Sequence, residues 1–347
     1  MKSIKIILFC IVLLSACKKS DKEYLKENDN EIIFNEFPSV VEIKGQKLKY
    51  TNDVPGYIRS IFIVDSLTII QGRISDSLMI FNKDDMQYIT SFSKLGNGPN
   101  EISIPSFASF NADNLILGIM DFGKKKAFFY NIDSIVNFQK YKPEIYDVAN
   151  PFSNPILNDG FIYYSNIQQG DYSNLLVRQN IKSGKIESVD KHHLINPKDI
   201  VKGQEVSGLS GNYIIRNNYL VYSYFFDSKF LIRNLNNNSV VYVHYNDNIR
   251  GSGDIIEPKN NPKLAYRRPY LSEDNIYLSY QGTKIYKNEN KRNYPKEIHV
   301  FNYNGQPIKK ILLDREINTF AVDEMNNKLI AVDPNLETLL VEFDLSE

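Results

Sequence analysis

The chain has 347 residues, and its Lys plus Arg (41) equal its Asp plus Glu (41), so it lacks the electrostatic footprint that nucleic-acid binding needs. Its aromatic residues are Tyr (23) and Phe (20) with no Trp, and Tyr, Phe, Ile and Val suit a half-buried pleated surface. Length alone permits one large closed β domain or two ordinary domains.

Residues 1–16 read as an export signal. Lys2 and Lys5 form a positive start, and Ile6 to Leu14 form an apolar run too short to span a bilayer. The segment ends Leu14-Ser15-Ala16-Cys17, which resembles the lipobox of bacterial lipoproteins, where cleavage leaves a lipidated Cys17. An ordinary signal peptide is the alternative. Cys10 would leave with the signal, so no disulfide, thiolate metal site or Cys nucleophile is expected in the folded part. Loss of Lys2 and Lys5 leaves 39 basic against 41 acidic residues, a net charge of −2. Cys17 to Phe37 has the polar composition of a solvated tether, followed by a single folded domain over 38–347. The tether leaves the periplasmic and the surface face of the envelope equally open.

Ser60 to Glu101 lays down four short strands in order: Ile61 to Val64, Leu67 to Gln71, Leu78 to Phe81 and Gln87 to Phe92. Two turn signals then repeat along the chain. The first joins two apolar runs at Asp65-Ser66, Asp113-Asn114, Asp159-Gly160, Asn217-Asn218, Asp274-Asn275 and Asn326-Asn327, residues that tolerate left-handed backbone and close hairpins. The strand after this turn opens at 67, 115, 161, 220, 276 and 329, a period of roughly fifty residues. The second turn follows the third strand and begins at Asn82, Asn131, Asn180, Asn234, Asn302 and Asp344. An Asx side chain there can bond the backbone two residues on.

These repeats predict an all-β, six-bladed β-propeller; seven blades remain an alternative from length, and a β-sandwich would not need six near-equal units. Fourth strands are expected at Gln87 to Phe92, Ile135 to Lys140, Lys185 to Val189, Val240 to Tyr245 and Ile308 to Leu313, and a helical turn at Asp199 to Gly208. The last blade has only three strands of its own. The apolar Val40-Val41-Glu42-Ile43 is expected to supply the fourth, closing the ring.

The second-to-third-strand loops and the links between blades are long, so one face of the ring is the candidate site. It would carry Arg73, Lys94 to Glu101, Asp121 and Arg267-Arg268-Pro269-Tyr270. Two guanidiniums beside an aromatic can grip a carboxylate or phosphate, although paired arginines more often stay solvated or tie blades together through carboxylates. Lys124-Lys125-Lys126 reads as a solvated loop. Ser93 to Glu101 looks like a phosphate cradle but lacks the Gly-Lys-Ser/Thr ending and a following helix, so a corner between blades is expected. His192-His193 would point to opposite faces of an extended chain, and no metal, cofactor or catalytic constellation is expected.

Leu95-Gly96-Asn97-Gly98-Pro99-Asn100-Glu101 resembles the Gly-x-Gly-Pro-x-Glu link of TolB-like six-bladed propeller lipoproteins from Bacteroides-type bacteria. Tyr280-Gln281-Gly282, Asn302 to Pro307, Leu313-Asp314 and Ala321 to Glu324 extend that resemblance, which implies six blades and an envelope location but no catalytic residues. The expected function is a membrane-anchored, non-enzymatic, monomeric propeller that binds a protein, peptide or glycan. A lyase or hydrolase using the same face, and a structural subunit of an envelope complex, are the alternatives.

Overall fold

Neighbouring residues on a strand point to opposite faces, and in this chain both faces of most inner strands are apolar. Ile69 and Ile70 belong to different cores, as do Ile119 and Met120, and Tyr163 and Tyr164. A strand apolar on both faces needs a sheet covered on both sides. The computed structural model meets that need with a ring of six blades, each packed between two others. It describes residues 30–48, 54–72, 78–151, 153–165, 174–191, 210–247, 249, 261–288, 291–336 and 340–346.

The first blade consists of Ile58–Val64, Leu67–Gly72, Leu78–Asn82 and Tyr88–Phe92, from the axis outward. The innermost strands of the other five are Ser109–Asn111, Ile156–Asn158, Gly211–Arg216, Tyr266–Leu271 and Phe320–Asp323. A buried apolar cluster fills each interface between successive blades. Another, with Ile61, Ile70 and Phe81 against Ala321, Ile330 and Leu340, joins the first blade to the sixth. That last interface closes the ring at six and leaves no place for a seventh. Each fully buried Ile, Leu or Phe contributes about 1.5–3 kcal/mol, so the interfaces between blades hold the ring together.

The Asx turns form as the residue spacing predicts. Asn82 accepts from Asp84 N, Asn180 from Lys182 N, Asn234 from Asn236 N, Asn302 from Asn304 N and Asp344 from Ser346 N, all at 2.8–3.0 Å. Asn131 differs by one residue: its side chain accepts from Ser134 N at 2.7 Å and caps a helix, Ile132–Phe138. Ile135 to Lys140 is therefore not the fourth strand of the second blade, which is Glu144–Asp147. Ile132 and Ile135, one helical turn apart, bury themselves in the core while Asp133 occupies the first turn.

Two expectations about the N-terminal segment are corrected. Within the stretch expected to be tether, Glu31–Phe34 forms a fifth strand parallel to Val240–Tyr245 of the fourth blade. Phe34 is buried there against Phe37, Tyr245 and Phe301. Val40–Ile43 does not complete the sixth blade but runs parallel to Pro307–Leu313 as a fifth strand of the fifth blade. The sixth blade is completed by Gln46–Lys47, antiparallel to Leu340–Asp344 through Gln46↔Glu342 and Lys47↔Val341. Both Gln46 and Lys47 are exposed, because an outermost strand has solvent on its far side and needs backbone pairing more than apolar content. Gly45 permits the approach: a Cβ there would lie 2.4 Å from Val341 Cγ1.

Candidate binding site at the channel mouth

The six innermost strands enclose a channel lined by Phe62, Phe110, Tyr213, Tyr270 and Phe320, with a cavity of about 80 Å³. That space holds a few waters and no larger ligand. The end reached by the short first hairpins is bridged from blade to blade. Arg216 pairs with Glu324 and donates to Leu271 O at 2.7 Å, while Glu324 accepts from Glu273 N at 2.8 Å. At the opposite mouth, where the innermost strands begin, Arg59, Arg267 and Arg268 are found among the described residues.

Two β-bulges shape this mouth. In the first blade the pairing steps from Ile58↔Gly72 to Ser60↔Gln71, which leaves Arg59 as the extra residue. In the fifth blade it steps from Tyr266↔Tyr280 to Pro269↔Leu278, which leaves Arg267 and Arg268 opposite the single Ser279. A bulge re-aims side chains that regular alternation would send to opposite faces. The bulged carbonyl of Arg267 is held from the fourth blade by Asn212 Nδ2 (3.2 Å) and Ser223 Oγ (3.0 Å).

The Arg268 guanidinium reaches across the mouth. Its Nη1 donates to Arg59 O (2.8 Å), Ser60 Oγ (3.3 Å) and Thr319 Oγ1 (3.1 Å), tying the fifth blade to the first and sixth. Arg267 lies with its guanidinium carbon 5.6 Å from the Tyr294 ring centroid. Its Nη1 is buried and has no hydrogen-bond partner among the described residues. Both residues are half-buried in surface terms, with their guanidinium groups set among neighbouring atoms. Burial lowers the pKa of Arg267 to about 10 with help from Arg292, and that of Arg268 to about 10 with help from Arg267. Both stay charged at neutral pH.

Phe107, 45% exposed, stands over the guanidiniums of Arg268 and Arg59, 4.5 Å and 5.7 Å from its ring centroid. It is exposed because the residues on either side of it are clamped. Fully buried Gln71 donates from Nε2 to Ser106 O (3.0 Å) and accepts at Oε1 from Ala108 N (2.7 Å). From the end of the strand Ile116–Asp121, Asp121 holds the earlier part of that loop: it accepts from Ser103 N (2.8 Å), Ser103 Oγ (2.7 Å) and Ile104 N (3.1 Å), and also from Gly123 N (2.9 Å) and Lys124 N (3.2 Å). Burial alone would raise the Asp121 pKa, but hydrogen bonds from Ser103, Ile104 and Lys124 hold it below 3.8.

The residues expected on a loop face are therefore distributed differently. Arg267 and Arg268 sit on an innermost strand at the mouth, not in a long loop, and contact no carboxylate among the described residues. Asp121 is a loop clamp whose oxygens are already engaged. Tyr270 lies deeper, donates to Val322 O at 2.8 Å and has its pKa raised, chiefly by burial. Arg73, Cys17, Asp199 to Gly208 and His192-His193 lie outside the described residues. The glycine corner is filled by the chain itself. Glu101 accepts from Gly98 N (2.8 Å), and Lys124 donates to Gly98 O (2.8 Å) and Glu101 O (2.6 Å), so Lys124 is not solvated as expected. Arg59, Gln71 and Phe107 escaped the sequence reading. Phe107, in Ile104-Pro105-Ser106-Phe107, was the one legible signal: a large apolar residue inside a turn-rich link. Among the described residues no cluster of three His, Cys, Asp or Glu side chains could hold a metal ion.

A family model described as TolB-like 6-blade propeller-like matches residues 57–325. Crystal structures with the same fold include a member of the DUF4221 family from Bacteroides vulgatus, at 13% identity and a TM-score of 0.61, covering 87% of this chain and 97% of that one. Another is a candidate exported protein of Bacteroides fragilis, at 13% identity and a TM-score of 0.58, covering 90% and 98%. At that identity the likeness is one of fold. No curated protein sequence matches the chain.

Proposed function

For a chain that belongs to the TolB-like six-blade propeller family, we propose a non-enzymatic binding and scaffold role in the cell envelope, exercised through the channel mouth. The observation that carries this reading is the chemistry of the mouth. An exposed aromatic, Phe107, is held by buried Gln71 and stacked on Arg59 and Arg268, a rim suited to contact a protein, peptide or glycan. A lyase or hydrolase would need carboxylates or His converging on a cavity. Asp121, the carboxylate singled out for this face, is engaged in holding the loop that carries Phe107.

The export signal and lipobox support anchoring to the membrane through Cys17. The description of the structurally similar Bacteroides fragilis protein as a candidate exported protein is consistent with that location. The test is crosslinking of the intact protein in its native envelope, followed by recovery of bound partners. Phe107→Ala should lose partners that the wild type captures while melting normally; equal recovery by both proteins would refute a role for the mouth.

A further inference from the structure

We propose that the channel mouth is an oxyanion site, taking a carboxylate or phosphate group of the ligand on the Arg267 guanidinium with Arg268 beside it. This rests on the mouth being the binding face and names the chemistry it would recognise.

Four observations converge on it. The bulge brings two consecutive arginines to one end of the innermost strand, where regular alternation would separate them. Arg268 is committed to the fold through the Arg59 carbonyl, Ser60 and Thr319, so it is fixed in place. Arg267 is not: its Nη1 is buried without a partner among the described residues, and its guanidinium lies against the face of Tyr294. Finally, the charges that bear on Arg267 and Arg268 most strongly are those of other arginines, Arg292 and Arg267 respectively, rather than of carboxylates.

A water molecule satisfies an idle N–H, but it does not offset two like charges at a partly desolvated site. A negative group does both, and the planar fork of Arg267 suits the two oxygens of a carboxylate or phosphate. Tyr294 lies against Arg267 and Phe107 against Arg268, aromatic neighbours that favour an anion carried on a planar or apolar body. Arg268, with its Nη1 already committed, sets the depth to which the anion descends.

The purified protein is titrated with sodium acetate and, separately, with inorganic phosphate, each against sodium chloride at matched ionic strength. Melting temperature and titration calorimetry are the readouts. One salt or both should raise the melting temperature saturably beyond the chloride control, and the stronger of the two identifies a carboxylate or a phosphate ligand. Arg267→Gln should weaken that binding by about tenfold or more, the loss of one charge-assisted bond. Arg267→Lys, which keeps the charge and loses the fork, should fall between the two and guards against a misfolded Gln variant. A response identical for all three salts, or wild-type affinity in Arg267→Gln, overturns the proposal. Absence of anion binding together with partner loss in Phe107→Ala would remove the oxyanion and leave the mouth as the binding face. Anion binding with unchanged partner recovery would do the reverse.

Discussion

Asp121→Asn tests whether the mouth depends on a single carboxylate beneath its loop. The two oxygens divide the work: Oδ2 accepts from Ser103 N, and Oδ1 accepts from Ser103 Oγ, Ile104 N, Gly123 N and Lys124 N. The least damaging orientation of an asparagine keeps its oxygen at the crowded position and points its NH₂ at Ser103 N–H, donor against donor. An orphaned buried donor costs about 1–3 kcal/mol, and the remaining bonds lose their charge assistance. Together these give about 3 kcal/mol, and at about 2 °C per kcal/mol for a domain of this size the melting temperature should fall by roughly 6 °C.

The pH dependence carries its own sign. The Asp121 carboxyl titrates lower in the folded protein than its ordinary value of 3.8, so its stabilisation is fully present above that value and is lost as pH falls through the folded pKa. The gap between wild type and Asp121→Asn should be constant from neutral pH down towards pH 5 and should narrow below 3.8. Amide exchange should accelerate over Ser103 to Ala108 in the variant, because the clamp holds that loop. A variant that melts like the wild type at neutral pH, or a gap that widens in acid, would refute the reasoning.

Closure of the ring is open to a smaller change. Gly45→Ala places a methyl 2.4 Å from Val341 Cγ1 and 2.8 Å from the Phe343 ring, and overpacking of this kind costs about 1–3 kcal/mol; calorimetry should show the whole ring melting earlier in one transition, and early loss of Gln46–Lys47 alone would contradict closure. Cys17→Ala should abolish labelling by a fatty-acid analogue and release the protein from membranes, and unchanged labelling would exclude the lipid anchor.

The sequence reading failed where it used apolar content as a proxy for strand position. Val40-Val41-Glu42-Ile43 is the apolar run, so it was assigned to the open edge of the last blade. That edge is filled instead by exposed Gln46 and Lys47, which contribute backbone and little apolar surface. Ile135 to Lys140 follows the turn signal at Asn131 and so reads as a fourth strand, but the geometry of Asn131, one residue from an ordinary Asx turn, starts a helix. Arg267 and Arg268 could be singled out by residue type; the bulge that turns them to the channel mouth could not.

Turns and the six-fold repeat were decided by the sequence alone. Asn82, Asn180, Asn234 and Asn302 each form a bond to a backbone N–H two residues away, and such contacts need no information from elsewhere in the chain. Strands apolar on both faces likewise demand blades packed between blades. The closing strand, the outlying fifth strands and the mouth were decided only by the tertiary structure, because they join residues far apart in the chain. Gln46 pairs with Glu342, and Arg268 reaches the Arg59 carbonyl across 209 positions, contacts that come into being only once the ring has closed.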